Sequence, residues 1–277
     1  MIIRYSIHPE HIKRMTTDEL RDAFLLDSLF KEDTIELIYS EVDRAIVGSA
    51  VPINNNLSLV ASKKEMGVDY FTERRELGVI NIGEKGSIIL DENEYSLEKE
   101  DMLYIGRETR NIIFKKSEDG KIPLFYFVSY PAHKSYPSKL IRKDDSEKVS
   151  LGSPSEANVR IINKYIQPKN LDSCQLVMGM TELAVGSVWN TMPVHTHQRR
   201  SEIYMYYNIQ NDALVFHFMG DPKETRHIII KNQQAVISPI WSIHSGCGTK
   251  NYSFVWAMGG ENQDFGDMDG IPINEMK

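Results

Sequence analysis

The sequence predicts a mainly β protein, with two β-sandwich or β-barrel domains behind a short helical N-terminal segment. Three observations carry this. From Asp43 onward the chain is a succession of short alternating or β-branched segments separated by turn residues, the rhythm of sandwiches and barrels. The polar stretch Lys143-Asp144-Asp145-Ser146-Glu147-Lys148 lies among Pro131, Pro137, Gly152 and Pro154 and marks an interdomain link. A faint internal repeat lays residues 70–75 on 195–200, and places 101–106 near 234–239 with a slight shift of register. Asn111 then falls at the position of His244. Two β-domains of one type follow, over residues 1–145 and 146–277, with the candidate ligand set intact only in the second.

Taken in order, Thr16-Thr17-Asp18-Glu19-Leu20 supplies a hydroxyl cap and first-turn acids, and Leu20, Phe24, Leu25 and Leu29 follow at helical spacing. Ile35, Leu37 and Tyr39 alternate as in a strand. Strands are then expected at 45–48, 78–82, 86–90, 101–106 and 123–128. Beyond the link they are expected at 159–162, 176–180, 182–185, 202–207, 213–218, 227–230, 235–237 and 252–258. Residues 261–277, rich in acids and turn formers, read as a tail.

Composition narrows the function. A chain of 277 residues that is 41% hydrophobic and 26% charged can build a real core. Its net charge of −7 and lack of a basic stripe argue against a nucleic-acid partner. Local pairs such as Arg74-Arg75 and Arg199-Arg200 suit at most one anionic small molecule. Cys174 and Cys247 form neither a disulfide framework nor a metal-type pair, as in a reducing cytosol. The N-terminus lacks the regions of a signal peptide, and no run is long enough to span a membrane. The expectation is a soluble cytoplasmic protein.

The chemistry concentrates in Pro193-Val194-His195-Thr196-His197-Gln198-Arg199-Arg200-Ser201-Glu202. Two histidines one residue apart share a strand face. Glu202 lies an odd number of positions from His197, so a turn or bulge at residues 198–201 must re-aim the next strand. His244, in Ser238-Pro239-Ile240-Trp241-Ser242-Ile243-His244, is the fourth candidate ligand. Three imidazoles and one carboxylate suit Zn, Mn, Fe, Co or Ni. Alternation from Glu202 turns Tyr204 and Tyr206 toward the same side. His217 and Met219 share a face, as do Phe254, Trp256 and Met258.

His195-x-His197-x4-Glu202 and Pro239-x4-His244 resemble the two-part metal motif of the cupins. The chain lacks the usual glycine after Glu202, and has Trp241 and Gly248 where that motif often has glycine and asparagine. Further stretches resemble one cupin family more specifically: 160–166, 192–197, 224–228, 234–246 and Gly259-Gly260-Glu261-Asn262-Gln263. Along its full length the chain resembles the 5-keto-4-deoxyuronate isomerases, the 4-deoxy-L-threo-5-hexosulose-uronate ketol-isomerases of pectin breakdown. The resemblance implies a bicupin fold, a homohexamer, and one zinc ion per subunit on His195, His197, Glu202 and His244. It also implies conversion of 5-dehydro-4-deoxy-D-glucuronate to 3-deoxy-D-glycero-2,5-hexodiulosonate, moving a carbonyl from C1 to C2.

Such a reaction needs a cation for the enediolate oxygens and a base beside the carbon acid. Tyr204, His227 and Glu261 are the candidates for proton transfer. The substrate carboxylate calls for a fixed cation, and Arg160 and Lys164 are preferred to Arg199, Arg200 and Arg226. The same ligands would also serve a cupin oxygenase carrying a redox metal, or a non-catalytic bicupin that binds sugar acids.

Overall fold

The computed structural model describes residues 1–116 and 120–277. Strand alternation builds two double-sheet units. In the first, a seven-stranded sheet runs in the order Ile2–Arg4, Ile35–Ser40, Ile46–Ala50, Phe125–Pro131, Arg75–Asn81, Met102–Ile105, Lys139–Ile141. A four-stranded sheet faces it, in the order Leu57–Ser58, Ile112–Lys115, Gly86–Leu90, Asn93–Leu97. The second unit repeats the arrangement. Its large sheet is Glu147–Leu151, Arg160–Ile166, Val177–Leu183, Ser253–Gly260, Arg200–Tyr207, Gln234–Ser238 and Leu25–Leu26. Its small sheet is Trp189–Asn190, Ser245–Gly248, Val215–Asp221 and Glu224–Ile230. Arg75–Asn81 and Arg200–Tyr207 hold the same place in their sheets, each opening on the second arginine of an Arg-Arg pair.

Parity along each strand divides the side chains between two environments. On Phe125–Pro131, Phe125 and Phe127 enter the core of the first unit with Leu77, Val79, Ile88 and Phe114. Tyr126, Val128 and Tyr130 turn to the opposite face. On Arg200–Tyr207, Tyr204 and Tyr206 enter the second unit, whereas Ile203, Met205 and Tyr207 face the first. The two large sheets therefore stack through a shared core that includes Met102, Tyr104, Met178 and Met180. Burying each such side chain stabilises by about 1.5–3 kcal/mol before chain entropy is charged against it. Glu76 ties the units further. Fully buried, it accepts the N–H groups of Cys174 (2.6 Å), Gln175 (2.8 Å) and Leu176 (2.8 Å) and the Tyr104 hydroxyl (2.9 Å).

The N-terminal segment differs from the expectation. The helix spans Thr17–Phe24, started by a capping box between Thr16 and Glu19. It stops before Leu25 and Leu29, because Leu25–Leu26 turns extended and pairs with Val236 and Ala235. The hydrogen bonds of that open sheet edge outweigh the helical spacing of the leucines. Ile12, Leu20, Phe24 and Leu25 pack into the second unit's core. The helical segment thus packs against the second unit, while Ile2–Arg4 before it pairs with Ile38–Ser40 in the first unit's sheet. The segments expected at 176–180 and 182–185 form one strand, Val177–Leu183. Residues 261–277 are no free tail: they contain the strand Asp269–Gly270 and the 3-10 turn Ile273–Glu275.

The two interiors diverge. In the first unit Leu77 stands at the position of Glu202, and Phe114 fills the centre, its ring centroid 5.2 Å from that of Phe125 and 5.8 Å from that of Phe127. The second keeps its interior polar at one end. Stacking of the large sheets leaves no slack at Gly259, where an added Cβ would lie 2.4 Å from the Tyr130 ring. Gly259→Ala should therefore destabilise the protein by about 1–3 kcal/mol through overpacking, read as a lower urea midpoint; an unchanged midpoint would mean the sheets are not locked there.

Candidate metal centre

Three local features bring the four candidate ligands together. His195–Thr196 is a short strand paired with Asp269–Gly270. A turn at residues 198–199 then shifts the parity, so that Glu202 enters the barrel with Tyr204 and Tyr206 on the next strand. His244 lies just before Ser245–Gly248, at the end of a loop pinned by Ser242. The Ser242 hydroxyl accepts the Gly220 N–H (2.9 Å) and donates to the Ile243 carbonyl (2.7 Å).

The donor atoms of His195, His197, Glu202 and His244 all lie within 4.8 Å of one another. His195 Nε2 is 3.0 Å from the Nε2 atoms of both His197 and His244, which are 3.2 Å apart. Glu202 Oε2 is 3.2 Å from His197 Nε2 and 2.9 Å from His244 Nε2. The remaining edge, His195 to Glu202, is longer. A cation about 2.1 Å from each donor would set adjacent donors about 3.0 Å apart and opposite donors about 4.2 Å apart. The observed separations of 2.9–3.2 Å suit an ion that would be held by His195, His197, Glu202 and His244.

Protonation agrees with that fit. Burial pushes His195 down to about 3, so its imidazole is neutral at pH 7. Burial alone would raise Glu202, but the His244 and His197 imidazoles override it and hold the carboxyl well below the usual range. His197 carries its proton on Nδ1, which donates to the Asp267 carbonyl (3.0 Å) and leaves the Nε2 lone pair facing the other donors. Nitrogen and oxygen atoms converging at this distance need a shared proton or a metal ion among them.

A cavity of about 990 Å³ opens beside the ligands, walled by Ile162, Phe254, Trp256, Met258 and Phe265. Arg160 and Tyr204 line it. Among the described residues Arg160 is the one permanent cation in that lining, its Nη1 anchored on the Asn158 carbonyl at 2.9 Å. The buried Tyr204 hydroxyl lies 3.0 Å from Thr191 Oγ1, and its ring meets His244 edge-on at 5.5 Å. Burial, with the Glu202 charge nearby, raises this phenol well above its ordinary value, so it holds its proton.

Three expected residues lie elsewhere. His227 is exposed on the outer face of Glu224–Ile230, its ring 5.7 Å from Phe216, because parity turns Ile228 and Ile230 inward instead. Glu261 is exposed just past the end of Ser253–Gly260, where its N–H donates to the Arg199 carbonyl at 2.9 Å. Lys164 shares the Arg160 face of its strand, but its ammonium lies over the Phe265 ring (4.1 Å) and near Glu147 (3.7 Å), and Phe265 lines the cavity in its place. Arg226 holds the carbonyls of Ile12 and Met15 in the N-terminal segment. Sequence reading missed His217 as a partner of the site. It is fully buried, with Nδ1 2.7 Å from the Tyr206 hydroxyl and its ring 5.8 Å from that of Tyr204. Its inward parity with Met219 was the available signal.

Comparison with known proteins gives the family and the fold of the chain. A family model described as the KduI/IolB family matches residues 30–269. A 4-deoxy-L-threo-5-hexosulose-uronate ketol-isomerase of Lachnoclostridium phytofermentans is 53% identical over 277 residues, covering all of both chains. Proteins of the same name from Caldicellulosiruptor bescii and Escherichia coli are 50% and 49% identical, again over the whole of both chains. Among solved structures, an IolB-like protein from Salmonella typhimurium matches with a TM-score of 0.71 at 13% identity, over 90% of this chain and 96% of that one. Bacillus subtilis oxalate decarboxylase, a protein with Mn(II) centres, matches with a TM-score of 0.56 at 8% identity, over 81% of this chain and 71% of its own. These structural likenesses establish the cupin-type fold.

Burial also pushes His217 down to about 3 from the 6.5 of an unfolded histidine. Between those values the unfolded chain binds more protons than the folded one. Stability is therefore full above pH 6.5 and declines as pH falls toward 3, with His195 acting in the same window. For chelator-treated protein the urea midpoint should drop across that window, and His217→Gln should flatten the decline; a midpoint indifferent to pH there would mean that neither histidine is held neutral.

Proposed function

The chain belongs to the KduI/IolB family, and we propose that it is the metal-dependent ketol-isomerase that converts 5-dehydro-4-deoxy-D-glucuronate to 3-deoxy-D-glycero-2,5-hexodiulosonate. Its class, an intramolecular oxidoreductase, follows from full-length relatives at about half identity that share the ketol-isomerase name. The observation that carries the finer reading is the His195, His197, Glu202 and His244 set at the end of a cavity with a single fixed cation.

The family resemblance favours zinc, one per subunit, on those four residues. Bound there by three neutral imidazoles and one carboxylate, it would keep a charge of about +1 and act as a Lewis acid toward adjacent carbonyl and hydroxyl oxygens. The chain supplies the rest. Arg160 offers a guanidinium fork to the substrate carboxylate and so fixes which end of the open-chain sugar acid meets the ligands. The apolar walls exclude bulk water, which strengthens that ion pair and limits loss of the mobile proton. Tyr204, a neutral phenol hydrogen-bonded to Thr191, is placed to hold a proton at a reacting oxygen. Of the three residues considered for proton transfer, it alone lines the cavity.

The same resemblance supports a homohexamer, a cytoplasmic setting and a place in pectin and uronate breakdown. No described helix is long and apolar enough to cross a membrane. The relatives' shared name favours isomerase chemistry over an oxygenase or a non-catalytic sugar-acid binder.

Purified protein mixed with the unsaturated uronate monomer should move the carbonyl from C1 to C2, followed by NMR. His244→Ala should lose metal and activity together while keeping its circular dichroism, and an active, metal-free His244→Ala would refute the assignment. Arg160→Gln should raise KM by about tenfold or more with a smaller change in kcat. Equal KM values would remove Arg160 from the carboxylate site.

A further inference from the structure

The chain beyond Gly260 does not trail away from the site but crosses it. Asp269–Gly270 pairs with His195–Thr196, and the Ile271 N–H donates to the Val194 carbonyl at 3.0 Å. One carbonyl of this segment, Asp267, accepts both His197 Nδ1 (3.0 Å) and Arg200 Nη2 (2.8 Å). The Asp267 carboxylate is gripped from the side by Arg199, whose Nε lies 2.9 Å from Oδ2 and whose Nη2 bonds Oδ1. Asn262 Nδ2 adds a bond of 2.6 Å to the same carboxylate, and Arg199 reaches Asp269 at 3.1 Å. Met268 and Ile271 then form part of the cavity wall.

Arg200 shows how far this dependence extends. Its side chain is fully buried, and its Nε and Nη1 have no hydrogen-bond partner among the described residues. The hydrogen bond its guanidinium does make runs from Nη2 to the Asp267 carbonyl, and the same Nη2 lies 3.1 Å from His197 Nδ1, which carries its own proton and does not accept it. Undocking the segment would strip a buried cation of its carbonyl partner, which is costly. It would also free the His197 ring, because the Asp267 carbonyl is what holds the proton on Nδ1 and aims Nε2 at the other donors. The two arginines lie in the stretch between His197 and Glu202. The turn that brings Glu202 inward therefore also carries the grip.

We propose that residues 262–272 are an integral strap of the metal centre, docked by Arg199 and Arg200, and that docking of the strap and binding of the metal each strengthen the other. The proposal rests on the metal reading above. If both equilibria act through His197, linkage requires the coupling to be equal in the two directions. Arg199 and Asp267 are then positioning residues. Neither lines the cavity, and they act by fixing His197 and, through the short ladder, His195.

The test is hydrogen exchange of the full-length protein, chelator-stripped and then loaded with zinc, together with zinc affinity by chelator competition. Zinc should slow exchange within residues 262–272 by about tenfold or more, with little change in the distant strand Phe125–Pro131. Asp267→Ala keeps the carbonyl but loses the Arg199 grip, and should bind zinc about 10–100-fold more weakly. Asp267→Asn, which still offers Arg199 one oxygen, should recover part of that loss. Wild-type protein that binds zinc without protecting the strap, or an Asp267→Ala variant that binds zinc as wild type does, overturns the proposal. Wild-type protein that takes up no zinc removes the metal reading itself, a result distinct from either.

Discussion

Three imidazole nitrogens and a carboxylate oxygen gathered within 4.8 Å inside a β-barrel must share protons or a metal ion among them. Much of the second unit exists to impose that arrangement. The Ser242 bonds hold the His244 loop, the turn at residues 198–199 corrects the parity of Glu202, and the C-terminal segment orients His195 and His197. Each device sacrifices regularity of the sheet for placement of a donor atom.

The two units show the same frame put to different uses. Where the second has Glu202, the first has Leu77, and the space is taken by Phe114, Phe125 and Phe127. The first unit is in consequence a packed body, and its outer face is the surface on which the second unit's large sheet rests. That contact backs the strand Arg200–Tyr207: Ile203, Met205 and Tyr207 are locked from behind while Glu202 and Tyr204 project forward. That strand is thereby packed on one face and turned toward the cavity on the other.

Much of this was legible in the sequence, because it follows from periodicity. The shared face of His195 and His197, the break needed before Glu202 and the inward run to Tyr204 are consequences of a period of two. The internal repeat likewise survives as matching strand order in the two units. What was not legible depends on the main chain or on tertiary competition. The Asp267 carbonyl has no side-chain signature, so residues 261–277 read as a tail. The helix ends at Phe24 because a sheet edge elsewhere takes up Leu25 and Leu26. His227 and Glu261 had suitable chemistry, but parity and a strand end put them outside. Lys164 lay on the correct face, and its displacement by Phe265 arises from a segment distant in sequence.

A diffraction experiment on crystals of the zinc-loaded protein, with data collected on both sides of the zinc absorption edge, addresses the centre most directly. One anomalous peak per chain is expected about 2.1 Å from Nε2 of His195, His197 and His244 and from the Glu202 carboxylate. No peak there, with those four side chains still facing one another, or a peak held by other residues, would contradict a metal centre in the second barrel.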